Sequence, residues 1–505
     1  MISTKFMLSA GLQMILLAML ISPLTAQVPD TLWTGLYGGA NEDYARAVVQ
    51  TSDGGFAVTG DFGRVSGEPD SGDVWLLKVS PSGNEQWSKS YGGNKLDRGY
   101  ALVQLPDDGF LVAGETSSRG NGLNDLWVLR TNSSGDTLWT RTYGGAGTEF
   151  AEDLKLTSDG GFTLLSATRS FGAGGLDCWL LRCDANGDTL WTKSYGGTAN
   201  DFITSVEVTS DGGYAIIGST FSFGEPGQPD MWLVRTDANG DTLWTTIYNG
   251  PHYPWSTDAG NFVKETSDGG FLLLGNTNGL PNTTNRDIWL IRTDANGDTL
   301  WTQSYGGTMT EDAVGLVELQ DGGYMIAGSS LDNNGDQALV ICTNATGDSL
   351  WDWRMGDTNS EQIWAIAPTT DNSAILAGYT SNFNANVRDG WLIRFEGDSP
   401  TAIGDPETSE LPGTFHLEQN YPNPFNPTTT IRYFLPAGIS GPIALEIVDI
   451  RGSVIATLNA PGIAGWNEAE WNGLNKNSIA VSSGVYFYRL RVENQSAVKK
   501  LMLVR

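Results

Sequence analysis

Thr293–Thr308 reads TDANGDTLWTQSYGGT, and versions of this stretch return about every 52 residues between Asp30 and Arg354. An Asn-Gly turn followed by a short run of Thr, Trp and Tyr is the signature of an antiparallel hairpin. Outward from it, each unit reads as four short strands, lettered a to d. In the second full unit, a is Tyr100–Leu105, b is Phe110–Gly114, c is Leu126–Thr131 and d is Thr137–Tyr143. The a–b turn recurs as Asp53-Gly54, Asp108-Gly109, Asp159-Gly160, Asp211-Gly212, Asp268-Gly269 and Asp321-Gly322, ending as Asp371-Asn372. A strand-c tryptophan recurs as Trp75, Trp127, Trp179, Trp232, Trp289 and Trp391, with Ala338 the exception. The strand-d series is Trp33, Trp87, Trp139, Trp191, Trp244, Trp301 and Trp351.

The two ends of the array are offset. The chain opens on a lone strand d (Asp30–Tyr37) and closes on strands a, b and c of a seventh unit (Ile363–Phe395). Radial repetition of four-stranded units at this period is the pattern of a β-propeller, whose free edge disappears when the first strand completes the last blade. The expected fold is therefore all-β: a seven-bladed β-propeller over residues 27–396, closed by its N-terminal strand. This N-terminal region resembles bacterial β-propeller repeat proteins. Residues 397–414 are polar, contain proline and lack periodicity, as a linker does. Residues 415–505 alternate as a small β-sandwich.

Lys+Arg 29 against Asp+Glu 58 gives a net charge of -29, which repels phosphate backbones and excludes nucleic acid as a partner. Residues 1–26 carry Lys5, the apolar run Phe6–Leu24 and then Ala26, reading as a secretory signal peptide. No later apolar run is long enough for a transmembrane helix. Cys178 and Cys183 lie five apart on one strand, so they face opposite sides and should not pair. Cys183 and Cys342 are aligned with Val79, Thr131, Thr236, Thr293 and Phe395 as small packing residues.

Near the C-terminus four blocks appear in order: LEQNYPNPFNPTTTI from Leu417, VDIRG from Val448, SGVYFYRL from Ser483 and KKLMLVR from Lys499. Within them stand Tyr421, Pro422, Asn423, Pro424, Phe425, Asn426, Pro427, Gly484, Tyr486, Lys499 and Arg505. They resemble the type A C-terminal sorting domain of the type IX secretion system, related to FlgD-like immunoglobulin modules of flagellar hook capping. The resemblance implies the type IX machinery as a partner. It also implies delivery to the outer-membrane surface or release from a Gram-negative-type bacterium.

Two carboxylate series should share the face carrying the d–a and b–c loops. Asp43, Asp97, Glu149, Asp201 and Glu311 follow the YGG tyrosine by six residues, with Glu361 in register and Asp258 displaced by an insertion. Asp73, Asp125, Asp177, Asp230, Asp287 and Asp389 precede the strand-c tryptophan by two, with Asp336 before Ala338. Hard cations want such oxygens, so the first series is a candidate calcium set; the alternative is that each acid caps loop amides and locks the blade corner. The c–d turns Asp184–Asp188 and their copies at Asp237 and Asp294 miss the EF-hand pattern and read as tight hairpins. Symmetry breaks at Asn249–Asp258, where His252, Tyr253 and Trp255 offer aromatic faces for a glycan or peptide.

With only His252 and His416 in the chain, a histidine metal cluster in the propeller is excluded. The expectation is an exported binding or interaction module that is not an enzyme, needs no cofactor beyond the calcium alternative, and meets an extracellular glycan or protein. The runner-up is a secreted carboxylate-dependent glycan hydrolase or lyase.

Overall fold

The computed structural model describes residues 31–395 apart from 69, 225–226, 251–255, 279–284, 333–334, 357–359 and 382–386. In the C-terminal part it describes 416–417, 420, 427–435, 443–448, 453–460, 465–477, 479–482, 484–492 and 495–503. Among these residues every regular element is a strand.

Short runs of β-branched and aromatic residues between Gly-containing turns fold into seven four-stranded antiparallel sheets. Blades 1 to 6 are Glu42–Tyr91, Asp97–Tyr143, Glu149–Tyr195, Asp201–Tyr248, Asp258–Tyr305 and Thr310–Met355. Blade 7 joins Glu361–Phe395 to the N-terminal strand Thr31–Tyr37, with Tyr37 opposite Gly390 and Thr34 opposite Ile393. Strands a of consecutive blades adjoin, and that of blade 1 adjoins that of blade 7, so these inner strands follow one another about a common axis.

Strands b and c are apolar on both faces, which requires cover on both sides. The buried side chains accordingly form seven separate wedges, each shared by two neighbouring blades. The blade 7–1 wedge packs Leu392 and Ile375 with Ala45, Val58 and Leu77. At the outer ends, strand d of one blade clasps the c–d hairpin of the next. Gly240 has φ of +76° and lies so close to Trp191 that a Cβ would stand 2.8 Å from its ring. The Tyr195 hydroxyl donates to Gly240 O at 2.7 Å. Equivalent bonds run from Tyr37, Tyr91, Tyr143, Tyr248 and Tyr305 at 2.5–2.8 Å.

Blade 6 has Met355 at the tyrosine position, and the topology explains it. Strands c and d of blade 7 come from opposite ends of the array, so no c–d hairpin exists for a tyrosine to reach. The register of blade 6 also corrects the sequence alignment by one residue. Cys342 pairs with Trp351 and Thr343 with Ser349, as Arg182 pairs with Trp191 and Cys183 with Thr189. Cys342 therefore stands where Lys78, Arg130, Arg182, Arg235, Arg292 and Arg394 reach the a–b turn aspartate. Thr343 fills the small packing position. Leu339 takes the tryptophan place and Gln337, not Asp336, the place of the strand-c carboxylate. Without a tryptophan to anchor that strand, only the following turn sets its register. The three cysteines are buried and free.

The C-terminal part has two sheets. One orders His416–Leu417, Thr429–Leu435 and Gly465–Trp471; the other orders Val454–Leu458, Ile443–Val448, Gly484–Val492 and Gln495–Leu503. They share one core, in which Ile431, Tyr433 and Trp471 meet Leu445, Tyr488 and Leu501. Strand Gly465–Trp471 was not anticipated, because the polar Asn467 takes an inward position and breaks the alternation that Ala469 and Trp471 continue. The linker 397–414 lies outside the described residues.

Tyr195→Phe should cost about 1–2 kcal/mol, since it strips a buried carbonyl of its donor. Met355→Tyr should gain nothing. Calorimetric melting of the two variants checks the clasp, and an unchanged melting temperature for Tyr195→Phe would remove it.

Candidate functional site

The first carboxylate series sits at the start of each strand a and is almost wholly buried. Each acid works across the blade boundary. The amide of Asp201 donates to Leu176 O of the preceding blade at 2.6 Å, and Asp43, Asp97, Glu149, Asp258 and Glu311 repeat that bond. The Asp201 side chain accepts Gly197 N at 2.7 Å, the Thr220 hydroxyl at 2.5 Å and the Ser222 hydroxyl at 2.7 Å. Asp43 accepts Gly39 N and Gly63 N, Asp97 accepts Gly93 N, and Glu149 accepts Gly145 N. Glu311 and Glu361 accept the Ser330 and Thr380 hydroxyls. This geometry is that of a corner lock, with the second glycine of YGG as its donor. Among the described residues no three His, Cys, Asp or Glu side chains come together to hold a metal ion.

The c–d turn acids are likewise used locally. Asp184 Oδ1 accepts the amides of Asn186 and Asp188, both at 2.9 Å, and Asp237 and Asp294 repeat the pattern. The a–b turn acid Asp268 is held at a pKa of about 2 by the Thr266 hydroxyl, the Gly270 amide and Arg292. His252, Tyr253 and Trp255 lie outside the described residues, as do Tyr421–Asn426 and Arg505. The insertion nevertheless re-enters the common lock, because Gly250 N and the Ser256 hydroxyl both donate to Asp258 Oδ2. Of the sorting-motif positions, Pro427 is exposed, while Gly484, Tyr486 and Lys499 lie in the paired final strands.

The copies also differ along the inner strands. Every strand a carries a β-bulge at the same place, where the pairing register with strand b skips one residue. The skipped residues are Arg46, Tyr100, Glu152, Thr204, Asn261, Val314 and Trp364, all different and all part-exposed. A bulge re-aims its side chain, and here one backbone device presents seven chemistries around one axis. Neighbours meet there. The Arg46 guanidinium lies 4.3 Å from the ring centre of Trp364 and 4.9 Å from that of Tyr100, and pairs in parallel with Asp61 at 2.8 and 2.9 Å. Tyr44 stacks on Trp364 at 5.3 Å. Arg98 and the Tyr100 hydroxyl share Glu115 at 3.1 and 3.0 Å.

Burial, followed by the charge of Glu115, pushes Tyr100 up to about 12. Glu152 is pushed well above the carboxylate range by desolvation and by the charges of Glu115 and Asp153. Phe150 and Phe202 continue the mouth through blades 3 and 4, Phe202 being 41% exposed and edge-on to Phe221. At the opposite end of the inner strands a cavity of about 500 Å³ is lined by Val49, Gln50, Val103, Gln104, Lys155, Leu156, Glu207 and Val208. Its polar groups are engaged: Gln50 and Gln104 accept the Thr370 and Ser52 amides, and Glu207 binds Lys264.

Sequence reading missed the bulge residues. The available signal was that the third position after each first-series carboxylate is different in every unit, while the acid before it and the a–b turn after it recur. For the lock itself, Asp201→Ala leaves a buried amide and two hydroxyls without their acceptor and should cost about 2–4 kcal/mol. Thermal melting of the full chain reads this, and a loss under 0.5 kcal/mol (about the surface-substitution range) would contradict the lock.

Comparison with known proteins bears on the two ends of the chain differently. Residues 419–504 match the family described as secretion system C-terminal sorting domain. The regulatory protein FlaEY of Caulobacter vibrioides is 29% identical over 182 residues, covering 31% of this chain and only 19% of that protein. PorZ, a surface component of the type IX secretion system of Porphyromonas gingivalis, aligns at 14% identity and a TM-score of 0.41, covering 93% of this chain and 60% of its own. The β-propeller domain of the Trilobed protease from Pyrococcus furiosus aligns at 8% identity and a TM-score of 0.41, over 76% of this chain and 100% of its own. The chain thus ends in a type IX secretion sorting domain and is a secreted or cell-surface protein of a Bacteroidetes-type bacterium.

Proposed function

We infer that the propeller is a binding module displayed on or released from the cell surface, and that its ligand, an extracellular glycan or protein, is gripped at the axial mouth. The observation carrying this reading is the set of inner-strand bulges. Seven copies of one backbone device with seven different side chains separate a recognising surface from the repeated scaffold that supports it. Trp364, backed by the buried Tyr44, and Phe202 supply flat apolar faces, and the Arg46–Asp61 and Arg98–Glu115 pairs supply planar hydrogen-bonding groups beside them. The sorting domain serves delivery through the secretion system and carries no part of this site.

One feature favours a catalytic alternative. Glu152, held toward its protonated form beside Glu115, is the arrangement a carboxyl general acid needs for glycan cleavage. We place it second because the guanidinium groups at the mouth are already ion-paired and, among the described residues, Glu115 beside Glu152 is itself held by Arg98 and Tyr100.

A glycan and peptide array probed with the full chain separates the two. Phe202→Ala and Trp364→Ala should weaken a hit tenfold or more, about 1.4 kcal/mol, while Trp255→Ala leaves it unchanged. A hit lost only in Trp255→Ala would move the site to the inserted loop. Release of reducing ends or unsaturated sugars, abolished in Glu152→Gln, would establish the enzyme instead.

A further inference from the structure

Around the first two blades of the axial mouth the chain supplies both halves of each ion pair. In blade 1 the Arg46 guanidinium pairs with Asp61 and lies against the rings of Trp364 and Tyr100. In blade 2 Arg98 pairs with Glu115, which also accepts the Tyr100 hydroxyl and, on its other oxygen, the Asn124 side-chain amide at 3.5 Å. Each set holds a guanidinium, a carboxylate and an aromatic ring.

Blade 3 departs from this at the equivalent places. Strand b puts Ala167 where blades 1 and 2 have Asp61 and Glu115, and strand a puts Phe150 where they have Tyr44 and Arg98. The carboxylate has moved to the bulge as Glu152, the place of Arg46 and Tyr100. No cation has moved with it. Lys155 pairs with Asp153 Oδ2 at 3.1 Å, where the Ser205 hydroxyl and the Val206 amide also donate, and Lys264 belongs to Glu207. Among the described residues, no ion pair or hydrogen bond reaches the half-buried Glu152. Desolvation first, then the charges of Glu115 and Asp153, disfavour its ionised form, and a cation beside it offsets both.

The rings are present as well. Phe150 is half-buried in blade 3, and in blade 4 Phe202 is 41% exposed, with Phe221 edge-on to it. Among the described residues no guanidinium or ammonium lies over Phe150 or Phe202, unlike Trp364 and Tyr100. Blades 3 and 4 thus repeat the carboxylate and the rings of the Arg46 arrangement without its cation.

Taking the axial mouth as the binding site, as proposed above, we propose that this sector receives its cation from outside: an arginine or lysine side chain of a basic protein segment, which pairs with Glu152 and lies against Phe150 and Phe202. An amino sugar also carries an ammonium group. A protein side chain fits better, because a guanidinium stacks on flat rings as Arg46 does, and the apolar stem of lysine or arginine covers phenylalanine faces while its charged head reaches the acid. The net charge of -29 draws such a segment in from a distance.

The test titrates the full chain with short blocked peptides that differ only in one central residue, arginine, lysine or citrulline, and with a chitosan oligosaccharide as the sugar-borne amine. The arginine and lysine peptides should bind, and the neutral citrulline peptide should bind about tenfold more weakly or worse. Glu152→Gln and Phe202→Ala should each weaken the arginine peptide by about the same factor. Glu85→Gln, which removes the same charge from the outer strand of blade 1, should leave binding unchanged. Glu152→Gln breaks no bond within the chain, so it should melt with the wild type. A lower melting temperature would reveal an internal partner for the acid and overturn the proposal. So would equal binding of the citrulline peptide, binding indifferent to Glu152→Gln, or binding of chitosan alone. An array hit lost in Trp364→Ala but kept in Glu152→Gln would overturn the cation and leave the mouth as the site. A hit indifferent to every mouth variant would remove both.

Discussion

Contact between neighbouring blades is the constraint on which the rest of this structure depends. Each sheet is apolar on both faces and would expose two greasy surfaces alone, so stability comes from the wedges between blades and not from any one sheet. The repeated motif is a list of parts for that contact. The turn glycine of one blade admits the tryptophan of the preceding one, the tyrosine hydroxyl takes the carbonyl of that glycine, and the Gly-Gly pair meets the acid that opens the next strand a. Met355 shows the rule by its exception. Where the next hairpin is missing, the tyrosine is missing too.

Side-chain chemistry diverges where this scaffold stops repeating. The inner strands all bulge at one residue, and a bulge re-aims the side chain it carries. Blades 7, 1 and 2 use the bulge for an arginine between aromatic rings, blade 3 for an acid shifted toward its protonated form, and blades 4 and 5 for small polar groups that bond the next strand. The carboxylate series read as either a calcium set or a corner lock has the hydrogen bonds of a lock, each acid accepting from glycine amides or from nearby hydroxyls. That all seven blades carry it is what a shared structural role predicts.

Legibility followed locality. Turns and strands were read correctly wherever a Trp, a Gly and an Asp stood at fixed spacing, and in the second unit strand a starts earlier and ends one residue sooner, at Asp97–Gln104, while strands b and c extend to Phe110–Thr116 and Asp125–Thr131. Blade 6 was misaligned by one residue because its strand c lacks the tryptophan, leaving Cys342 in the arginine place beside Asp321. Burial, with that aspartate second, pushes its thiol up to about 12. The C-terminal strand Gly465–Trp471 escaped notice because Asn467 is buried, against the usual polarity of an inward position.

From the sequence by itself came the repeat, the number of units, the offset that pairs the first strand with the last, and the sorting blocks that direct export. Each depends on residues close together in the chain or on simple counting. Only the tertiary structure decided which repeated side chains meet. Asp177 and Asp201 are 24 positions apart and face each other because two blades pack at one angle. Arg46 and Trp364 touch because the last blade lies beside the first. Hairpin rules act through the backbone between neighbours, whereas contacts across a blade boundary are set by how whole sheets stack.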